Sequence, residues 1–257
     1  MTNQPYHMID FSASACLFEI RINDYPVIHM NVEGQVASTV PINYAILKSG
    51  VQTVSVTILP NIGDAELHPK SEVKFNLKTF DVTHDFTLEK QFGEYQSETV
   101  GEKKLPVIKH AGTFTAEVPY TLEAWQNGKD LDQIDDCREK LDAAYKKVSR
   151  IIQEGRFDDY KKEIAQREKN MAVSMYLSEA ESESRFSGLV DDFKSGFEIQ
   201  PVAREAVMLI CGGGKVAVLK KANGEPALSL ENRETEEELM LDISFYIPEG
   251  KNGFEII

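Results

Sequence analysis

The front half of the chain alternates. From Cys16 to Asn23, Phe18, Ile20 and Ile22 stand against Glu19 and Arg21, the two-residue period of a half-buried strand. Asn23 to Pro26 reads as a turn, and Tyr25 to Val32 and Gln35 to Ile42 are the next predicted strands, parted by Glu33 and Gly34. Val54, Val56 and Ile58 alternate with Ser55 and Thr57 until Pro60 ends the run. Val73, Phe75 and Leu77 share one parity while Phe80 and Val82 fall on the other, which predicts a bulge or a change of sheet near Thr79. Thr87 to Phe92 and Gly112 to Tyr120 complete the set, with a polar loop from Gly93 to Lys104 between them. Short strands at these intervals predict an antiparallel two-sheet sandwich.

The period then changes. Leu131, Ile134, Cys137, Leu141, Ala144, Tyr145, Val148 and Ile152 recur at steps of three and four, one stripe of a helix. Asp130 with Gln133 has capping-box spacing, and Gly155 supplies the stop. A second helix is predicted from Asp158 and Asp159, with Tyr160, Ile164, Met171 and Met175 on a stripe that Arg167 interrupts. Ser178 and Glu181 announce a third, carrying Phe186, Leu189, Val190 and Phe193 and ending at Gly196. Beyond it, Val207 to Cys211, Lys215 to Lys220 and Ala227 to Leu230 are short strands joined at Gly212 to Gly214 and Asn223-Gly224. Leu239, Leu241, Ile243, Phe245 and Ile247 form one alternating run that Pro248 stops, and Phe254 to Ile257 is a last short strand.

The change of period near Glu123 to Lys129 predicts two domains: an all-β sandwich over 1-124, and over 125-257 an α+β domain of three helices packed on an antiparallel meander. Trp125, the single tryptophan, sits at this boundary and is expected to wedge between the domains.

Composition narrows the partners. The 257 residues carry a formal charge of −14, unfavourable for nucleic acid, whose binding energy comes largely from lysine and arginine. The same charge opposes anionic membrane surfaces and speeds encounter with a basic protein. Met1 to Asp10 shows no basic region followed by an apolar run, and the longest fully apolar stretch, Ala206 to Cys211, is too short to span a bilayer, so a cytoplasmic protein is expected. Cys16, Cys137 and Cys211 lie far apart in apolar runs, which predicts neither a disulfide nor a zinc site.

The order of a long helix, the joint Gly155-Arg156-Phe157-Asp158-Asp159-Tyr160, two further helices and then hairpins resembles NTF2-like or cystatin-like α+β folds over about the last 130 residues. The first half resembles an immunoglobulin-like sandwich by its strand pattern. Enzymes of the NTF2-like group use polar residues, often histidine and aspartate, inside a conical pocket. Here all five histidines, His7, His29, His68, His84 and His110, precede the boundary.

No motif secures a chemistry. Gly212-Gly213-Gly214-Lys215 lacks the Ser or Thr and the glycine spacing of a phosphate loop and joins strand to strand, the context of a plain hairpin. Asp132, Asp135, Asp136 and Glu139 have the oxygen ligands of a cation site, but acids favour helix starts for reasons of dipole alone. Asp191 and Asp192, in a last helical turn where the dipole disfavours them, call for compensation by Lys194 or Arg185. Glu234, Glu236, Glu237 and Glu238 bunch in a turn between strands, the first thing a basic partner would meet.

These features lead to a non-catalytic protein-interaction module, of the immunity type that neutralises a partner, without cofactor or metal, presenting Asp191, Asp192 and Glu234 to Glu238. The competing expectation is a small-molecule-binding or enzymatic NTF2-like pocket lined by Tyr145, Tyr160, Met171, Met175 and Tyr176, with the sandwich as accessory.

Overall fold

A computed structural model of the protein describes residues 3–83 and 85–257. The chain forms two compact units that meet in sequence at Leu122 and Glu123. The first holds a large antiparallel sheet, and the four α-helices among the described residues all fall in the second.

The first unit is organised by β1 (Pro5–Ile22), far longer than the strand predicted from Cys16. Its inward residues are His7, Ile9, Phe11, Ala13 and Ala15, then Cys16, Phe18, Ile20 and Ile22. Ala15 takes a positive φ of 48° at a register shift, so two successive residues face the core and parity flips. That flip hid the first ten residues, where the inward set also includes a histidine and two alanines.

Asn23 and Asp24, both left-handed, turn the chain into β2 (Tyr25–Pro41), a single strand where the pattern predicts two. Six strands join in one sheet: β1 pairs β4 (Glu72–Asp81) along its first half and β3 (Gly50–Leu59) along its second, while β5 (Thr87–Gln96) and β6 (Ile108–Ala116) flank these. The strands expected in two sheets are joined by hydrogen bonds into one, because β1 serves both halves. Phe92 of β5 meets Phe114 of β6 at 5.8 Å and Tyr95 stacks on His110 at 4.2 Å, so the sheet curls around its core. A register shift lies between Thr79 and Phe80, but the extra residue belongs to β5: β4 keeps its parity against β1, with Thr79 inward beside Val73, Phe75 and Leu77 and Phe80 half-buried. Gly93 to Gln96, read from sequence as loop, belong to β5.

In the second unit, Leu131–Gln133 is a 3-10 turn with no side-chain cap from Asp130, and α1 (Cys137–Gln153) begins only after left-handed Asp136. The stripe runs through both because Leu131 and Leu141 enter the same core. Gly155 ends the segment at φ 66°, as its position predicts. The predicted second helix breaks at Ile164 into α2 (Phe157–Glu163) and α3 (Ala165–Ser174). Tyr160 and Ile164 are buried, while Met171 and Met175 stay half-buried. The Ser178–Glu181 capping box opens α4 (Glu179–Lys194) with both reciprocal bonds made.

The strands of this unit form two small sheets in place of one meander. β7 (Glu198–Ile199), β10 (Ser229–Asn232) and β11 (Glu237–Met240) make one; β8 (Val207–Cys211), β9 (Val216–Lys220), β12 (Phe245–Tyr246) and β13 (Glu255–Ile256) make the other. The alternating run Leu239 to Ile247 is therefore divided, its start pairing with β10 and its end with β9 and β13. Alternation records which side is buried and says nothing of which neighbour supplies the hydrogen bonds.

Trp125 is buried and belongs to this unit. A Cβ added to Gly212 (φ 61°) would lie 3.0 Å from the indole and 2.8 Å from Val216, so only glycine turns the hairpin there.

Candidate functional site

The two acidic groups singled out in the sequence are tied to one another by backbone capping. Asn232, at the end of β10, accepts from the backbone N–H of Glu234 at 2.9 Å and of Thr235 at 3.3 Å, holding the acidic turn. Its Nδ2 donates to the carbonyl of Ser195 at 2.9 Å, just past α4. The Ser195 hydroxyl and N–H both bond the carbonyl of Asp192, at 2.8 and 3.0 Å. This chain of bonds sets the end of α4, with Asp191 and Asp192, beside the Glu234–Glu238 turn.

Within that cluster the charges are unevenly used. Glu238 pairs with Lys221 at 3.2 Å; a hydrogen bond from Ser229, then the lysine, hold its carboxyl below the usual range. Glu237 accepts from the Thr235 hydroxyl at 2.8 Å, and Glu236 takes a left-handed φ of 58°. Asp191 and Asp192 are exposed and have no ion-pair partner among the described residues. The compensation expected from Lys194 and Arg185 is not made: Lys194 lies over the Phe157 ring at 5.4 Å, and Arg185 turns to Glu168 at 3.7 Å.

Of the residues proposed for a pocket, Tyr160 lines a cleft and Tyr145 is enclosed in the core. Tyr145 packs in the core, its ring 4.9 Å from Phe245, and its hydroxyl donates to the carbonyl of Ile243 at 3.0 Å while accepting from the N–H of Leu219 at 2.9 Å. Tyr160 sits edge-on to Phe193 at 5.5 Å and lines a cleft of about 500 Å³ between α3, α4 and the segment Leu239–Ile243. Met171, Met175 and Tyr176 do not line that cleft.

What does line it escaped sequence reasoning. Arg167 of α3 donates to Glu168 at 3.0 Å, and Arg185 of α4 approaches the other oxygen of the same carboxylate. Arg167 left one trace, a polar break in an apolar stripe; its link to Arg185 depends on how α3 meets α4. Lys220, buried in β9, reaches Asp242 on the same lining at 2.7 Å.

The other candidate chemistries find no assembly. Asp132, Asp135, Asp136 and Glu139 are exposed, and among the described residues no three His, Cys, Asp or Glu side chains converge as a metal would need. Gly212 to Gly214 turn β8 into β9, with Lys215 Nζ donating to the carbonyl of Gln126 at 3.2 Å. The three thiols are free, and burial pushes that of Cys16 up to about 11. His7 is buried between Thr79 at 3.0 Å and the carbonyl of Glu117 at 3.4 Å, His29 lies 3.3 Å from Glu19, and His68 accepts from the N–H of Lys70 at 3.1 Å. His84 lies outside the described residues.

Among the described residues no helix is long and apolar enough to cross a membrane. No protein-family model, curated protein or solved structure matches this chain.

Proposed function

We propose that the protein is a non-catalytic interaction module that docks a basic protein partner in the cytoplasm, in the manner of an immunity-type protein neutralising its target. One observation carries this reading: Asp191 and Asp192 stand exposed, without an ion-pair partner among the described residues, in the last turn of α4, where the helix dipole already disfavours them, and the Asn232–Ser195 bond sets the acidic Glu234–Glu238 turn beside them. Negative charge held at such a cost is favourable once a cationic surface arrives.

The finer fold assignment belongs to the same proposal. The curled antiparallel sheet of the first unit supports an immunoglobulin-like reading, and the order of helices before hairpins supports an NTF2-like one for the second. The division of the second unit's strands between two sheets favours docking on its surface over chemistry inside a single conical pocket.

Capture from native lysate at low and high salt tests the proposal. The expected result is a basic protein that is retained at low salt, released at about 1 M salt, where screening acts within about 3 Å, and lost with Asp191→Lys plus Asp192→Lys and with Glu234, Glu236, Glu237 and Glu238 changed to Gln. Capture unchanged in both variants overturns it.

A further inference from the structure

Tyr160 is 1% exposed, yet its hydroxyl has no hydrogen-bond partner among the described residues. Buried tyrosines ordinarily find one. The oxygen is also not among the fully occluded, unpartnered side-chain atoms, so the surface Tyr160 retains includes its hydroxyl. Burial pushes the phenol up to about 12, with Arg167 lowering and Glu168 raising it, so at neutral pH it is a protonated donor lying within the field of those two side chains.

The groups around it are donors in surplus. Glu168 accepts from Arg167 at 3.0 Å and lies 3.7 Å from Arg185, so one carboxylate faces two guanidiniums and leaves several N–H groups and one positive charge unspent. Arg185, Gly188, Leu189 and Asp192 follow one another on one face of α4. Arg185 and Asp192 are thereby separated by about 10 Å along the axis, which keeps the acidic end of the cleft away from the cationic end. Asp242 is occupied by Lys220. Between the two ends the walls are apolar, with Leu189, Leu241 and Ile243, and a Cβ at Gly188 would meet nothing within 4 Å. A volume of about 500 Å³ falls in the range of ligand sites.

We propose that this cleft binds a small organic carboxylate with an apolar body. The carboxylate accepts from the Tyr160 hydroxyl and the free N–H groups of Arg167 and Arg185, charge-assisted bonds that satisfy a tyrosine donor the fold leaves open onto the cleft. The apolar body lies along Leu189 and Leu241, over Gly188. The site stands independently of the acidic docking surface.

Calorimetric titration of the full chain with hydrocinnamate and with hydrocinnamyl alcohol tests this. A ligand of about eleven non-hydrogen atoms at about 0.3 kcal/mol each gives low-millimolar affinity, so saturable binding of the carboxylate and none of the alcohol is expected. Tyr160→Phe, Arg185→Gln and Gly188→Leu should each abolish saturation, the first two by removing donors and the third by filling the cleft. Arg185 and Gly188 are exposed, so those two variants decide the matter should Tyr160→Phe not fold. Absence of saturable hydrocinnamate binding overturns the proposal, as does equal binding of the alcohol or binding that survives Arg185→Gln and Gly188→Leu.

Discussion

The hydroxyl of Tyr145 accepts the N–H of Leu219 at 2.9 Å. The same oxygen donates to the carbonyl of Ile243 at 3.0 Å, so a single side chain of α1 fastens β9 and the link between β11 and β12. Tyr145→Phe removes both bonds and leaves a buried N–H and a carbonyl unpaired, which should cost about 1–3 kcal/mol. Denaturant unfolding followed by Trp125, which lies in the same unit, reads this directly. A loss below about 0.5 kcal/mol would mean that the two backbone groups find other partners.

Asn23 combines a left-handed φ of 52° with side-chain bonds to the carbonyl of Ala45 at 2.8 Å, to Gln52 at 2.7 Å and from the N–H of Thr53 at 3.1 Å. Asn23→Ala should destabilise the first unit by about 2–4 kcal/mol, summing strain with lost bonds. Asn23→Gly, free of the strain, should cost less. Equal losses in chemical denaturation would show that the backbone conformation contributes nothing.

His7 gives the first unit a dependence on pH. Burial lowers its pKa, opposed in part by the bond to the carbonyl of Glu117, so the folded unit holds it neutral where an unfolded chain takes up a proton at about 6.5. The contribution is complete above that value and is lost as pH falls through it toward the folded value. Amide exchange in β1 and β4, corrected for intrinsic rates, should speed up between about pH 7 and 5 in the wild type and much less in His7→Gln. Identical profiles would place the effect on another group.

Gly188 lies inside α4, where glycine costs about 0.5–1 kcal/mol relative to alanine, and the added Cβ meets nothing. Gly188→Ala should therefore raise the unfolding free energy of the second unit by that amount. A decrease would indicate that the chain near Gly188 departs from regular helix.

Much of the fold is legible in local pattern. The stop at Gly155 and the Ser178–Glu181 box each depend on neighbours within a few residues, and each is present as the sequence predicts. The run Leu239 to Ile247 shows where legibility ends, since one alternation serves two sheets. The cleft around Tyr160 lay further still from view, because Arg167 and Arg185 meet at Glu168 only once α3 and α4 are packed.

The sequence by itself determined where the chain alternates, where it coils and where acidic side chains accumulate, since these follow from side-chain spacing along one element. Only the tertiary structure decided that β1 carries both halves of a single sheet, that Asn232 draws the acidic turn to the end of α4, and that the hydroxyl of Tyr160 opens on a cleft without a partner among the described residues. Those outcomes depend on hydrogen bonds and charges between residues far apart in the chain, whose geometry no periodicity encodes.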